Sequence, residues 1–340
     1  MTELLKKLCA LDGVSGDEDN VRAFIREHAE KYADDIHEDT LGNLIVYKKG
    51  AASGKTVMLS AYMDEAGVMV THITEEGYVG FSCVGDIDRR VLLGKEIYLG
   101  KKRVYGVIGN KAIHLAKADE RGRIPKTDDM YIDIGAQSRE AAERLISVGD
   151  TGSFDSAVYE YGNSMLKGKG VGGRAGCAVL MKLMERKLPQ SCYFVFTVQR
   201  LIGVRGAGAA AYRIKPDAAL VLDAAVSADI PSVTGSRRIT SSGGGVVIPF
   251  MDKGTIYDRG LYALLKRAAE DGGIKWQSKS VVEGVNEAAV VQRALGGVRA
   301  AAAAVPVRNL NTPASAVCLE DVRALYGLAI AFLQRIGEEI

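Results

Sequence analysis

The chain has 340 residues, with 44 Lys and Arg against 42 Asp and Glu, and 47% of its residues are hydrophobic. That length suggests about two domains, and the apolar fraction suffices for a full core. Charges of both signs are mixed along the chain, which excludes a disordered polyelectrolyte and argues against nucleic acid as a partner.

Cys9, Cys83, Cys177, Cys192 and Cys318 are odd in number and lack CxxC spacing. Neither a disulfide framework nor a cysteine zinc site is indicated. The first residues form an amphipathic stretch carrying Glu3, Lys6 and Lys7, unlike a secretory leader. No apolar run approaches the ~18 residues that a membrane span needs. A cytoplasmic protein without membrane partners is expected.

In chain order, Thr2–Leu11 reads as a helix, and Ser15 with Glu18 makes a capping box for a second helix reaching about Tyr32. Ile36–Tyr47 alternates around Gly42-Asn43 as a hairpin, and Lys55–Met63 reads as a buried strand ending at Asp64-Glu65. Between about Val70 and Gly162 come short β-type segments (Tyr78–Val84, Glu96–Leu99, Val104–Ile108, Met130–Ile134) and one helical stretch near Ser138–Leu145. Such spacing suits a small barrel or sandwich.

From about Leu166 an α/β pattern returns. Gly173–Lys187 reads as an amphipathic helix, Cys192–Gln199 and Ala218–Asp223 as strands, and Arg259–Asp271 as a helix. Arg299–Val307 follows as a strand and Leu319–Ile336 as a closing helix. Ala300–Ala304 suits a small-residue strand packed closely on a neighbour, with helix as the other reading. The expected fold class is α/β: a mixed-sheet domain from residues 1–68 and 164–340, interrupted by a small β-barrel-like domain at 69–163. Loop ends after strands are where such sheets hold their chemistry.

Segments spread over nearly the whole chain carry a resemblance. They include Gly13-Val14-Ser15-Gly16, Leu41-Gly42-Asn43-Leu44, Tyr62-Met63-Asp64-Glu65-Ala66-Gly67, Gly106-Val107-Ile108-Gly109 with His114, and Asp133-Ile134-Gly135-Ala136. Further on come Gly172-Gly173-Arg174-Ala175-Gly176-Cys177, Phe196-Thr197-Val198-Gln199, Gly203-Val204-Arg205-Gly206-Ala207, Leu222-Asp223 and Val307-Arg308-Asn309-Leu310-Asn311-Thr312-Pro313. In order and spacing the sequence resembles metallopeptidase family forty-two. These are dinuclear-metal aminopeptidases that assemble into tetrahedral dodecamers, and the family includes glutamyl aminopeptidases and proteins labelled endoglucanase. The resemblance implies a zinc-peptidase-like domain, an inserted domain of the assembly type, and peptide substrates.

It also implies a catalytic constellation that this sequence departs from. Where the family has a metal-binding His, oriented by an Asp two residues on, the chain has Tyr62, with Asp64 retained. The family's metal-bridging Asp is replaced by Gly172. Its Glu-Glu pair, general base and ligand, is replaced by Arg200 and Leu201. Its last His ligand is replaced by Asn311, and only Asp223 keeps a ligand's chemistry. Asn286 stands where the family has an Asp near the site. A catalytic zinc needs about three protein ligands and an open position, so the expectation is a pocket with no catalytic residue, no metal and no cofactor.

The loss is coherent in charge. Two dications (about +4) and three carboxylates (about −3) are absent and one guanidinium (about +1) is gained, a change near zero that strands no buried charge. Arg200 is expected to pair with Asp223, and also with Asp64.

Other readings are weaker. Asp64 and Asp223 as structural strand-end carboxylates, Arg174 and Arg205 as structural residues, and Gly243-Gly244-Gly245 as a turn are the plainer roles. His28, His37, His72 and His114 are not positioned to rebuild a metal site, and Cys177 lacks a matching base. A two-carboxylate glycosidase is disfavoured because Arg200 would hold both groups ionised.

The expected function is therefore a pseudo-peptidase: a scaffold, a partner subunit of an active paralogue, or a peptide-binding protein. A homo-oligomer is expected, up to a dodecamer. The alternative is an active metal-dependent aminopeptidase releasing N-terminal residues from peptides. A third reading is a binding module in which Arg200 anchors a ligand carboxylate.

Overall fold

The computed structural model describes residues 1–118 and 121–338. The first elements are α1 (Thr2–Ala10), α2 (Asp19–Ala29), β1 (Asp35–Glu38), β2 (Leu44–Lys48) and β3 (Ala52–Tyr62). Next come β4 (Gly67–Ile73), β5 (Val79–Val84), β6 (Glu96–Leu99), β7 (Val104–Asn110), β8 (Met130–Asp133), α3 (Arg139–Glu143) and β9 (Thr151–Phe154). The chain continues through β10 (Tyr159–Tyr161), β11 (Met165–Lys167), α4 (Val171–Met184), β12 (Gln190–Thr197), α5 (Arg205–Ile214), β13 (Ala218–Val226) and β14 (Val246–Val247). It closes with α6 (Arg259–Asp271), β15 (Trp276–Gln277), α7 (Ala288–Val291), β16 (Arg299–Arg308), β17 (Ala316–Cys318) and α8 (Leu319–Arg335).

Two sheets result. The large one is mixed and runs β1-β2-β12-β3-β13-β16-β17-β11-β10, with β14 and β15 attached to β16. At its centre β12, β3, β13 and β16 are parallel neighbours, which requires the long helical crossovers that cover both faces. The small one, β4-β5-β8-β7-β6-β9, closes into a barrel. It is filled by its own apolar cluster, including Val68, Phe81, Leu92, Ile97 and Ile132. The α/β class with a mixed sheet and a barrel is what the sequence predicts. Tyr159–Tyr161 is hydrogen-bonded into the large sheet rather than the barrel.

Several local expectations are refined. The Gly173–Lys187 segment, read as amphipathic, is buried on nearly every side over Val171–Met184. It lies between the sheet and α1, α2 and α8, so no polar face is needed. Its glycines permit this. A Cβ on Gly173 would lie 2.6 Å from the Tyr62 carbonyl oxygen, and one on Gly176 would lie 2.8 Å from the Ala61 Cβ.

The Ala-rich run is the middle of β16 and pairs with β13 over nine residues, from Ala218↔Arg299 to Val226↔Val307. The capping box does not form. Glu18 is itself the N-cap of α2, and the Ser15 hydroxyl donates to Asp64 at 2.5 Å instead. A tertiary acceptor has taken the capping side chain, and α2 ends at Ala29. The Gly243-Gly245 segment is a turn, its two outer amides donating to Asp321 at 2.7 and 2.8 Å. Among the described residues no helix is long and apolar enough to cross a membrane.

Candidate active site

The carboxyl ends of the parallel strands and the start of α4 converge on one spot. Tyr62 ends β3, with Asp64 two residues on. Arg200 and Leu201 follow β12, Asp223 lies in β13, Asn311 follows β16, and Gly172 is in the first turn of α4. This is where an open α/β sheet exposes strand-end side chains to a common crevice.

Asp64 is fully buried. Its carboxylate accepts from the Ser15 hydroxyl at 2.5 Å, the Leu201 amide at 2.9 Å and the Arg200 amide at 3.1 Å. Burial raises its pKa, and those three donors work against the shift. Asp64 thus clamps the loop after β12 by its backbone. The Gln199 amide is held in turn by Glu18 at 3.0 Å, and the Val198 amide by Asn43 at 3.0 Å. Val204, at φ 50°, absorbs the strain of the turn into α5.

The Arg200 guanidinium folds back over this loop. Its Nη2 donates to Asp223 at 3.0 and 3.3 Å and to the Val285 carbonyl at 3.1 Å, and its charged head lies 5.0 Å from the Tyr62 ring centroid. Burial opposes the guanidinium charge, yet Asp223, Tyr62 and Asp64 together outweigh it and hold the group protonated. The expected pairing with Asp223 is present. The Asp64 carboxylate receives the Arg200 backbone instead of its side chain, because Ser15 and two amides already fill its acceptor positions.

Tyr62 occupies the space beside α4. A Cβ on Gly172 would lie 2.6 Å from the Ala224 Cβ and 3.2 Å from the Tyr62 Oη, and one on Gly173 would lie 2.4 Å from the Tyr62 ring. A larger residue at Gly172 therefore has no room while Tyr62 and Ala224 stand as they do. Burial pushes the Tyr62 phenol well above its usual range. The phenol does not bond to Asp64, whose acceptor positions are taken by Ser15 and the two loop amides. It lines a cavity of about 20 Å³ together with Gly172, Leu201 and Asn311. Asn311 takes φ 60°, a conformation asparagine tolerates better than most residues.

The plainer roles fall out in the same way. Arg174, fully buried, donates to the Met63 carbonyl at 2.7 Å and the Leu8 carbonyl at 2.5 Å, tying α1 to the end of β3. Arg205 is exposed and bonds only the Ile202 carbonyl. The Cys177 thiol is buried against the Tyr62 carbonyl, and burial raises its pKa, so it is no nucleophile. His28 contacts the Met181 carbonyl, far in sequence from the pocket, and His72 and His114 are exposed.

Sequence reasoning gave no role to Glu287, Glu65 or Lys169, and it read Glu18 only as a helix cap. Glu287 accepts from Ser60 at 3.0 Å and from Thr197, and burial lifts its pKa to about 7. Glu18, also lifted to about 7 by burial, holds the loop amide. Glu65 and Lys169, 3.1 Å apart, lie at the barrel side. Glu287 adjoins Asn286, which the sequence did single out, but no spacing marks a buried lone carboxylate.

A pair of divalent cations would need carboxylates and imidazoles gathered at these strand ends. Among the described residues no group of three or more His, Cys, Asp or Glu side chains is placed to hold a metal. Asp223, the residue expected to keep a ligand's chemistry, is engaged by a guanidinium, and Gly172 has no side-chain donor atom to offer. The residues present do not fit a two-metal centre.

Residues 42–328 match the M42 glutamyl aminopeptidases. The chain is 29% identical over 350 residues to the lysyl aminopeptidase of Pyrococcus furiosus, covering 98% of this chain and 97% of that protein. Among solved structures it is similar to aminopeptidase APDkam598 of Desulfurococcus kamchatkensis, with TM-score 0.93, 32% identity, and 97% and 93% of the two chains covered. It is also similar to the Pyrococcus horikoshii TET1 peptidase, which can assemble into a tetrahedron or a large octahedral shell. That match has TM-score 0.87 and 30% identity and covers 98% of each chain.

These matches correct one expectation. The relatives belong to a family of metal-dependent aminopeptidases, so the absence of any cofactor does not stand as a property of this chain; the misfit above concerns the residues of one pocket. With matches running almost end to end, the chain belongs to the M42 glutamyl aminopeptidase family.

Proposed function

We propose that this chain is a pseudo-peptidase: a family body whose hydrolytic centre has been dismantled and which acts as a scaffold or partner subunit that retains peptides without cleaving them. The observation that carries this reading is the Arg200 guanidinium, bonded to Asp223 at 3.0 Å at the sequence position where the family has its general base. A permanently charged guanidinium cannot accept a proton from water. Leu201 and Gly172 supply no ligand beside it, and Asp64 is spent on loop amides.

The degenerate pocket of this reading comprises Tyr62, Asp64, Gly172, Arg200, Leu201, Asp223 and Asn311. The assembly role falls to the inserted unit, residues 69–163, with 1–68 and 164–340 forming the peptidase-like body. A homo-oligomer is supported by the shells that the Pyrococcus horikoshii TET1 peptidase forms.

The test is hydrolysis of lysyl-, glutamyl- and leucyl-nitroanilides by purified protein with added zinc or cobalt, alongside elemental analysis. This reading expects no turnover above background. A second reading, an active aminopeptidase releasing N-terminal residues, is favoured by the lysyl aminopeptidase relative. Metal-dependent turnover abolished by Asp223→Asn would establish it.

A further inference from the structure

Beside the ion pair, α4 presents an uncapped beginning. The helix is 14 residues long, and its N-cap is Gly170, which has no side chain to offer. The first amide bonded back within the protein is that of Arg174, to the Gly170 carbonyl at 3.1 Å. Among the described residues the amides of Val171, Gly172 and Gly173 meet no protein acceptor and point out of the helix end, which carries partial positive charge.

A second observation points to a ligand there. Tyr62 is only 3% exposed, and its hydroxyl, which has no protein partner among the described residues, opens on the cavity at this helix end. It sits beside Gly172 and faces the cavity of about 20 Å³. The Asn311 side-chain amide, also without a protein partner, lines the same opening, and the half-buried Leu201 and Leu310 form its outer wall.

We infer that this opening receives a carboxylate group of a ligand, held by the first amides of α4, the Tyr62 hydroxyl and the Asn311 amide. The helix amides, the Tyr62 hydroxyl and the Asn311 amide can all donate. Among the described residues the one unpaired acceptor in the wall, Glu65 Oε2, faces the Arg174 guanidinium at 3.7 Å, so an acceptor is called for at the amides. The cavity has room for an oxygen or two, not for a tetrahedral phosphate. The carboxylates in its wall do not repel an anion outright. Asp64 accepts three hydrogen bonds, while Glu65 is 3.1 Å from the Lys169 ammonium and 3.7 Å from the Arg174 guanidinium. The apolar outer wall suits the aliphatic part of a peptide. This inference rests on the non-hydrolytic reading of the pocket and names its ligand class: molecules ending in a free carboxylate.

Titration calorimetry of the full chain tests it with tri-alanine, N-acetyl-tri-alanine, tri-alanine amide and acetate. The free-acid peptides are expected to bind alike, and amidation to weaken binding at least about tenfold, the loss of a charge-assisted set of hydrogen bonds. Tyr62→Phe should weaken the free acid about tenfold without shifting the melting temperature or affecting the amide. Asn311→Leu, at the partly exposed mouth, is the second variant should Tyr62→Phe misfold.

Acetate binding as tightly as the peptide would support the site while identifying small free acids as its source of ligand. Equal binding of acid and amide, or no binding by any probe, would overturn it. Release of alanine during titration would sink the non-hydrolytic reading and leave the preference for acid over amide to be judged separately.

Discussion

Two buried ionic clusters flank the start of α4, and they begin at adjacent residues. Asp64 looks toward the pocket, and Glu65 looks toward the barrel. On the barrel side Glu65 accepts from Ser153 at 2.6 Å and the Gly13 amide at 3.2 Å and meets Lys169, which also reaches Asp12 and Ser153, each at 2.5 Å. Arg103 reaches Asp12 from the turn before β7, and Thr151 of β9 donates to Asp17 at 2.5 Å.

That seam is multiply bonded and joins barrel to body. The pocket cluster is sparser: one guanidinium, one partner carboxylate, and a buried Nε of Arg200 with no acceptor. The seam is held by the number of its bonds and not by full satisfaction, since Glu65 Oε2 and Arg174 Nη2 have no hydrogen-bond partner and face each other at 3.7 Å. What distinguishes the pocket is that its unspent groups open on a cavity, where a ligand can reach them.

The contrast yields graded predictions. Glu65→Ala should be the most damaging, at about 3 kcal/mol, since it removes the carboxylate facing both Lys169 and Arg174 and leaves Asp12 as the one anion beside Lys169 among the described residues; urea unfolding measures it. Glu287 should make stability pH-dependent. Its carboxyl, lifted to about 7 by burial, is raised above its unfolded value, so its contribution is complete below about pH 4.5 and is lost as pH rises through 7. The stability gap between wild type and Glu287→Gln should shrink by up to about 3 kcal/mol across that window. A gap independent of pH would show Glu287 ionised throughout.

Arg200→Met should cost about 2 kcal/mol, less than the seam mutation, because the guanidinium is partly exposed, and adding Asp223→Asn should recover much of it. Gly172→Ala should cost about 1–2 kcal/mol through overpacking against Ala224. A neutral result there would mean that the Tyr62 and Ala224 wall yields more easily than its contacts suggest.

Much of this was legible in the sequence, for reasons that differ by region. The β-rich run into Tyr62, the Ile36–Tyr47 hairpin around Gly42-Asn43 and the Ala-rich run of β16 follow from strand patterning, turn residues and side-chain size. The barrel was visible as short β segments between glycines. The α4 segment misled because its few polar residues suggested an exposed face, while Arg174 is buried through backbone carbonyls far away in sequence.

In the pocket, the family resemblance placed Arg200 and Asp223 at one site, where they could be paired by charge. Asp64 could not. Its acceptors are filled by Ser15 and two amides, contacts fixed by tertiary structure and unmarked in sequence. Ser15 likewise left its capping role for Asp64. Glu287 was hidden for a related reason, since its partners Ser60 and Thr197 sit on strands remote from it in sequence.

The most direct measurement is a crystal structure at high resolution grown in millimolar zinc, with anomalous scattering recorded at the zinc edge. The account predicts the Arg200 guanidinium seated over Tyr62 and within hydrogen-bond reach of Asp223. A guanidinium swung into solvent, with two anomalous peaks a few ångströms apart (roughly 3.5–4 Å) beside Asp223, would contradict it.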